Sequence, residues 1–136
     1  MTTSAPPFAA GVPVGPLGFV PREAKPGSAT WEYTVDPAHY NVNGVLHGGV
    51  LMALLDTAMG HAVAAMVAPQ GRFNAAAQFN INFFLPIKSG LVRARAEVKK
   101  IGKRLAVVEA EATDESGRVL GIATSTLYEK LKRPTP

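Results

Sequence analysis

The stretch VLMALLDTAMGHAVAAMV, from Val50 to Val67, decides the fold. Its apolar residues fall at 50, 51, 54, 55, 58, 59, 62, 63 and 66, the spacing of one helix face, and Pro69 and Gly71 stop it. Met52, Ala53, Ala64, Ala65 and Val67 add further apolar positions outside that face, so the helix is apolar nearly all round, which predicts that it is buried. It is the only long helical pattern in the chain.

On either side the period changes. Ala29–Val35 reads as a strand closed by Asp36-Pro37, and upstream of it only Leu17–Val20 looks able to pair as a short strand. Downstream, Phe79, Ile81, Phe83 and Leu85 alternate with Gln78, Asn80 and Asn82 until Pro86. Val92, Ala94, Ala96 and Val98 alternate with Arg93, Arg95 and Glu97, and Ala106, Val108, Ala110 and Ala112 with Val107, Glu109 and Glu111. Arg118–Tyr128 is a last strand, entered through the turn Asp114-Glu115-Ser116-Gly117. Short connections between consecutive strands predict antiparallel pairing. The small alanines leave room for a helix close against the sheet. The fold class is α+β: one long buried helix against an antiparallel sheet of about five or six strands.

Composition sets the bounds. At 136 residues and 14.3 kDa the sequence fits one domain, and 47% hydrophobic against 18% charged residues excludes wholesale disorder. Residues 1–16 form a Pro/Gly-rich segment that resists regular structure, 17–131 the folded domain, and 132–136 a short basic tail. The absence of cysteine excludes disulfides and thiolate chemistry and suits a reducing cytoplasm. No secretory leader is visible, and the unbroken apolar runs, such as Val50–Leu55 and Ala62–Ala68, fall far short of the about 20 residues that cross a bilayer, so no membrane partner is expected. The net charge of +4 is segregated: residues 1–71 hold 2 basic and 4 acidic residues, and 72–136 hold 12 and 6. The basic half is expected to meet something anionic.

Asp56 is the only formally charged residue from Ala38 to Gly71, and it lies in the middle of the apolar helix. An unpaired buried carboxylate costs several kcal/mol or is neutralised by a raised pKa. One account makes it structural, held by strand amides or by an arginine such as Arg93 or Arg95. The other begins at His47-Gly48-Gly49, directly before the helix, where two glycines let free backbone N–H groups approach a ligand. A helix N-terminus favours negative charge, including charge developing on a carbonyl oxygen during acyl transfer. Gly48 and Asp56 are eight residues apart, or about 12 Å along a helix. A reacting carbonyl must lie about 3 Å from both its donor and its attacker. Two antiparallel helices across a two-fold axis would bring Gly48 of one chain to Asp56 of the other, which predicts a shared site at a dimer interface.

The pattern Asn41-x-x-Gly44-x-x-His47-Gly48-Gly49, then Asp56 and Gly60, followed by Asn80-Ile81-Asn82-Phe83-Phe84-Leu85-Pro86, resembles the hotdog-fold acyl-CoA thioesterases of the phenylacetate-degradation type. The resemblance extends over about residues 17–131 and includes Leu17-Gly18-Phe19. It implies a helix wrapped by an antiparallel sheet, two such units joined into a continuous sheet, and often dimers of dimers, hence a homodimer or homotetramer. Residue by residue it implies Asp56 as nucleophile or general base, the Gly48 N–H as the group polarising the thioester carbonyl, and Asn41 and His47 as shaping the pocket, with Gly49 beside them. The family often has a water-orienting Ser or Thr at the position of Ala76; here Thr57, Asn74 and Gln78 are the candidates to replace it. An acyl-CoA is then the substrate, and no cofactor or metal is called for.

His47 is a base or a loop hydrogen-bonder; His61 lies about 140° round the helix from Asp56, suited to packing; His39 has no partner at a telling spacing. No ligand pair for a metal and no nucleophile elbow occurs. Lys99, Lys100, Lys103 and Arg104 read either as a solvated hairpin tip or as a clamp for coenzyme A phosphates. Nucleic-acid binding is not expected, because no stacking aromatics accompany them. The aromatic residues Phe73, Phe79, Phe83 and Phe84 are read as core first. An enoyl-CoA hydratase or dehydratase and a non-catalytic acyl-CoA binding protein are the alternative functions.

Overall fold

The computed structural model describes residues 9–131; the basic tail at 132–136 and the first eight residues lie outside the described residues. Six strands form one antiparallel sheet: β1 (Val20–Lys25), β2 (Ser28–Thr34), β3 (Arg72–Phe83), β4 (Leu91–Ile101), β5 (Leu105–Thr113) and β6 (Val119–Leu131). The single long helix, α1 (Gly48–Val67), lies against it. Leu54, Leu55, Ala58, Met59, Ala62 and Val63 of α1 are fully buried against Trp31, Tyr33, Val92 and Val108. The inward alanines do what their size allows: Ala94, Ala96, Ala106 and Ala112 are wholly buried, so the helix sits close to β4 and β5. With its following turn, Gly48–Gln70 is apolar enough by composition to cross a membrane, a length that the unbroken run Val50–Leu55 understates, but in this fold it is the core helix.

Three expectations are corrected. The first strand is Val20–Lys25, not Leu17–Val20; residues before it make an isolated bridge, Val14 to Phe19. Pro21 is tolerated because β1 is an edge strand and its register slips between Pro21 and Glu23. Second, β3 does not pair with its sequence neighbour β4. The order is β1-β2-β4-β5-β6-β3, because α1 carries the chain across the sheet and delivers β3 to the far edge, where β6 receives it. Third, α1 is not covered all round. The sheet wraps one side only, and Gly49, Met52 and Asp56 are exposed, flanked by half-buried Ala53, Thr57, Gly60 and Ala64.

A bulge in β3 places the side chains that face α1. The β3–β6 register skips Ala77, so the inward phase passes from Asn74 to Phe79, Ile81 and Phe83. Asn74 Nδ2 donates to the Gly60 carbonyl at 3.0 Å, Phe79 and Ile81 pack on the core, and Phe83 reaches Gly48. On the outer face of the sheet, buried Glu32 takes Arg22 at 2.6 Å and Arg93 at 2.7 Å. Burial pushes this carboxyl up, but the hydrogen bonds and charges of Arg93 and Arg22 outweigh it and hold Glu32 below the usual carboxylate range.

Candidate functional site

The loop before α1 is fixed from several sides. Asp36 caps a short 3₁₀ turn, Pro37–His39, by accepting from the Ala38 N–H. His39 Nδ1 and the Tyr33 hydroxyl share a 2.6 Å hydrogen bond, and the Tyr40 hydroxyl donates to the Lys88 carbonyl. Asn41 Oδ1 accepts from the N–H groups of Asn43 and Val45, closing the turn through Gly44, whose φ of 75° favours glycine. Asn41 therefore shapes the loop with its carbonyl and retains only its amide NH₂ for anything else.

His47 is the N-cap of α1. Its backbone is extended, and its Nδ1 accepts from the Gly49 N–H at 2.8 Å. With Nδ1 accepting, a neutral ring carries its proton on Nε2. This bond consumes one of the two glycine donors, whereas among the described residues no acceptor takes the Gly48 N–H. A side chain at either glycine would crowd a close neighbour. A Cβ on Gly49 would stand 2.9 Å from His47 Nδ1, and one on Gly48 would stand 3.1 Å from the Phe83 ring.

Asp56 lies two turns further along the same helix, on its uncovered face, between Gly48, which Phe83 meets, and Gly60, which Asn74 holds. Among the described residues no donor or cation reaches its carboxylate. Arg93 is occupied by Glu32 instead, and Arg95 stands exposed on the strand beside it. The expected burial is thus absent in the chain, yet the protein around the carboxyl desolvates it enough to raise its pKa above the ordinary 3.8.

The residues nominated around Asp56 are already partly engaged. Thr57 Oγ1 donates to the Ala53 carbonyl at 2.7 Å, and Asn74 uses its amide on Gly60. Gln78 is exposed, and its main-chain carbonyl accepts from Ser125 Oγ. His61 packs on Trp31, with ring centroids 4.8 Å apart, and its Nδ1 meets the Thr57 carbonyl.

The cationic hairpin lies at the other end of the domain. Arg72, the first residue of β3, donates to the Lys103 carbonyl, whereas Gly48 neighbours Phe83, the last residue of that strand. One chain therefore does not bring Lys100, Lys103 and Arg104 to its own Gly48. Lys99 is held 3.6 Å from both Glu97 and Glu109.

Beside Gly48 opens a cleft of about 340 Å³, lined by Leu46, Leu51, Phe83, Phe84, Leu85 and Ile87. Sequence reasoning did not identify this cleft. Phe83 and Phe84 are each 52% exposed rather than core. The signal was present in Phe83-Phe84-Leu85, three apolar residues in a row where an alternating strand would place a polar one.

Residues 43–120 match the family model of the thioesterase superfamily. The chain is 33% identical over 117 residues to a 1,4-dihydroxy-2-naphthoyl-CoA hydrolase of Listeria monocytogenes, covering 86% of this chain and 94% of that protein. Among solved structures, a thioesterase of Haemophilus influenzae superposes with a TM-score of 0.79 at 26% identity, covering 88% of this chain and 84% of the other. A variant of the phenylacetic acid degradation protein PaaI from Thermus thermophilus superposes with a TM-score of 0.75 at 29% identity, covering 82% and 93%.

Proposed function

The chain belongs to the thioesterase superfamily and is a thioester hydrolase of hotdog fold, and from that premise we propose that it cleaves acyl-CoA thioesters at a site shared by two chains. Asp56 of one protomer faces the Gly48 N–H of its partner across antiparallel α1 helices. The thioester carbonyl oxygen accepts from Gly48, and the Asp56 carboxylate attacks the carbonyl carbon itself or through a water that it deprotonates. The carbon–sulfur bond breaks, coenzyme A leaves and takes up a proton as the thiol, and water supplies the oxygen and the remaining proton of the free acid.

The observation that carries this reading is the pairing on one helix of a terminal N–H and a carboxylate, neither with a partner among the described residues, the carboxylate on the face that the sheet leaves open. About 12 Å of helix separates the two, too far for one carbonyl to meet both within one chain. The small residues Gly49, Ala53, Gly60 and Ala64 on that face favour close approach of a second helix, and β3 offers an edge strand at which a partner sheet would continue. In such a pair the basic tip of one chain comes toward the site of the other, so that Lys100, Lys103 and Arg104 hold coenzyme A phosphates, with Lys99 less available. His47 orients the glycine turn. Thr57 and Asn74 remain the polar groups for a water beside Asp56, whereas Gln78 lies on the other face of β3.

The test is thiol release from acyl-CoA by the purified chain and by Asp56→Asn. We expect turnover by the former and a loss of at least about a hundredfold in the latter. Equal rates would overturn the assignment of Asp56.

A further inference from the structure

We infer that the cleft beside Gly48 selects acyl groups without polar substituents and of modest size, and that Phe83 sets its limit; this rests on the hydrolase reading. The cleft touches the same glycine whose N–H is free, so a carbonyl held there directs its acyl group along the cleft walls. Those walls are Leu46, Leu51, Phe83, Phe84, Leu85, Pro86 and Ile87, none with a polar side-chain atom. A hydroxyl carried into them loses its water and gains no side-chain partner, which lowers acceptance by about tenfold or more.

Volume sets the second limit. About 340 Å³ is at the small end of the range for ligand cavities. That suits a medium-length aliphatic acyl group or a single phenylacetyl ring, not a long fatty chain. Phe83 is the residue that lies against both Gly48 and the cleft, and its ring is half exposed, so shortening it enlarges the cleft without opening a hole in the core.

The experiment measures thiol release from octanoyl-, phenylacetyl-, dodecanoyl- and 3,4-dihydroxybenzoyl-CoA by the wild type, by Phe83→Ala and by Phe83→Leu. The wild type should prefer octanoyl and phenylacetyl over dihydroxybenzoyl by about tenfold or more in kcat/KM. The ratio of dodecanoyl to octanoyl should rise by about tenfold in Phe83→Ala and by less in Phe83→Leu. Each ratio is taken on one preparation, so the fraction of folded enzyme cancels. Comparable wild-type rates on all four substrates, or ratios that neither substitution moves, would overturn the selectivity and leave hydrolysis standing. No thiol release from any of the four would overturn the hydrolase reading itself and this inference with it.

Discussion

The ring of Phe83, at the end of β3, stands 3.1 Å from the point that a Cβ on Gly48, the first residue of α1, would occupy. A methyl group there must push the ring aside, and the ring has solvent to move into. Gly48→Ala should therefore keep its stability, since alanine at a backbone conformation it can adopt restricts the unfolded chain and gains about 0.5 kcal/mol, which offsets the displacement. Its kcat/KM should fall by at least about tenfold, because the displaced ring crowds the free N–H. Calorimetry and thiol release separate the two effects, and wild-type turnover in this variant would remove Gly48 from the mechanism.

Asp56→Asn should melt no lower than the wild type at neutral pH. Burial raises the folded-state pKa of Asp56 above 3.8, so its contribution to stability is fully present below the unfolded value and is lost as pH rises through the folded value. At neutral pH the ionised group is a cost that asparagine removes. The same shift moves the acid limb of the wild-type rate profile above the ordinary 3.8. A limb at or below 3.8 would contradict it.

Mixing two impaired variants tests the shared site. Asp56→Asn and Gly48→Ala, each impaired alone, should recover activity after subunit exchange, because every hybrid dimer holds one intact combination of Gly48 and Asp56. Full exchange should return about a quarter of wild-type activity. A site completed within one chain would return none, and the assay after co-refolding decides.

The basic tip predicts a difference between substrates. Lys103→Ala with Arg104→Ala should raise KM for an acyl-CoA by about tenfold and leave KM for the matching acyl-pantetheine, which lacks the nucleotide phosphates, unchanged. An equal rise for both substrates would assign the tip to folding instead.

Acid stability should depend on Asp114. Its carboxylate accepts from the Ser116 hydroxyl and N–H and from Arg118, which hold its pKa down at about 2, chiefly through the Ser116 side chain. A depressed pKa contributes stability above the unfolded value of 3.8 that is lost as pH falls toward 2. Asp114→Asn should be less stable at neutral pH and should lack that part of the acid dependence. Parallel melting curves of the two proteins from neutral pH to about 2 would refute it.

The end of α1, the turn at Asp114–Gly117 and the alternation of β4 and β5 were legible because each is a local property, set by side-chain period and by residues that stop or turn the chain, whereas α1 begins two residues before its apolar period, at Gly48. Gly48 and Asp56 were legible for a similar reason: one charge in an apolar helix and two glycines at its start are exceptions to a pattern. The burial of Asp56 was misjudged because periodicity reports how apolar a helix is, not which of its faces the sheet reaches.

The sequence by itself determined the kinds of element, their order, and the two groups set eight residues apart on one helix. Only the tertiary structure decided that β3 crosses to the far edge, that His47 takes the Gly49 N–H and leaves that of Gly48, and that Phe83 closes on that glycine. A segment's period and caps act within a few residues. Strand order and the open face of a helix follow from how the whole apolar surface is buried at once, which no local stretch encodes.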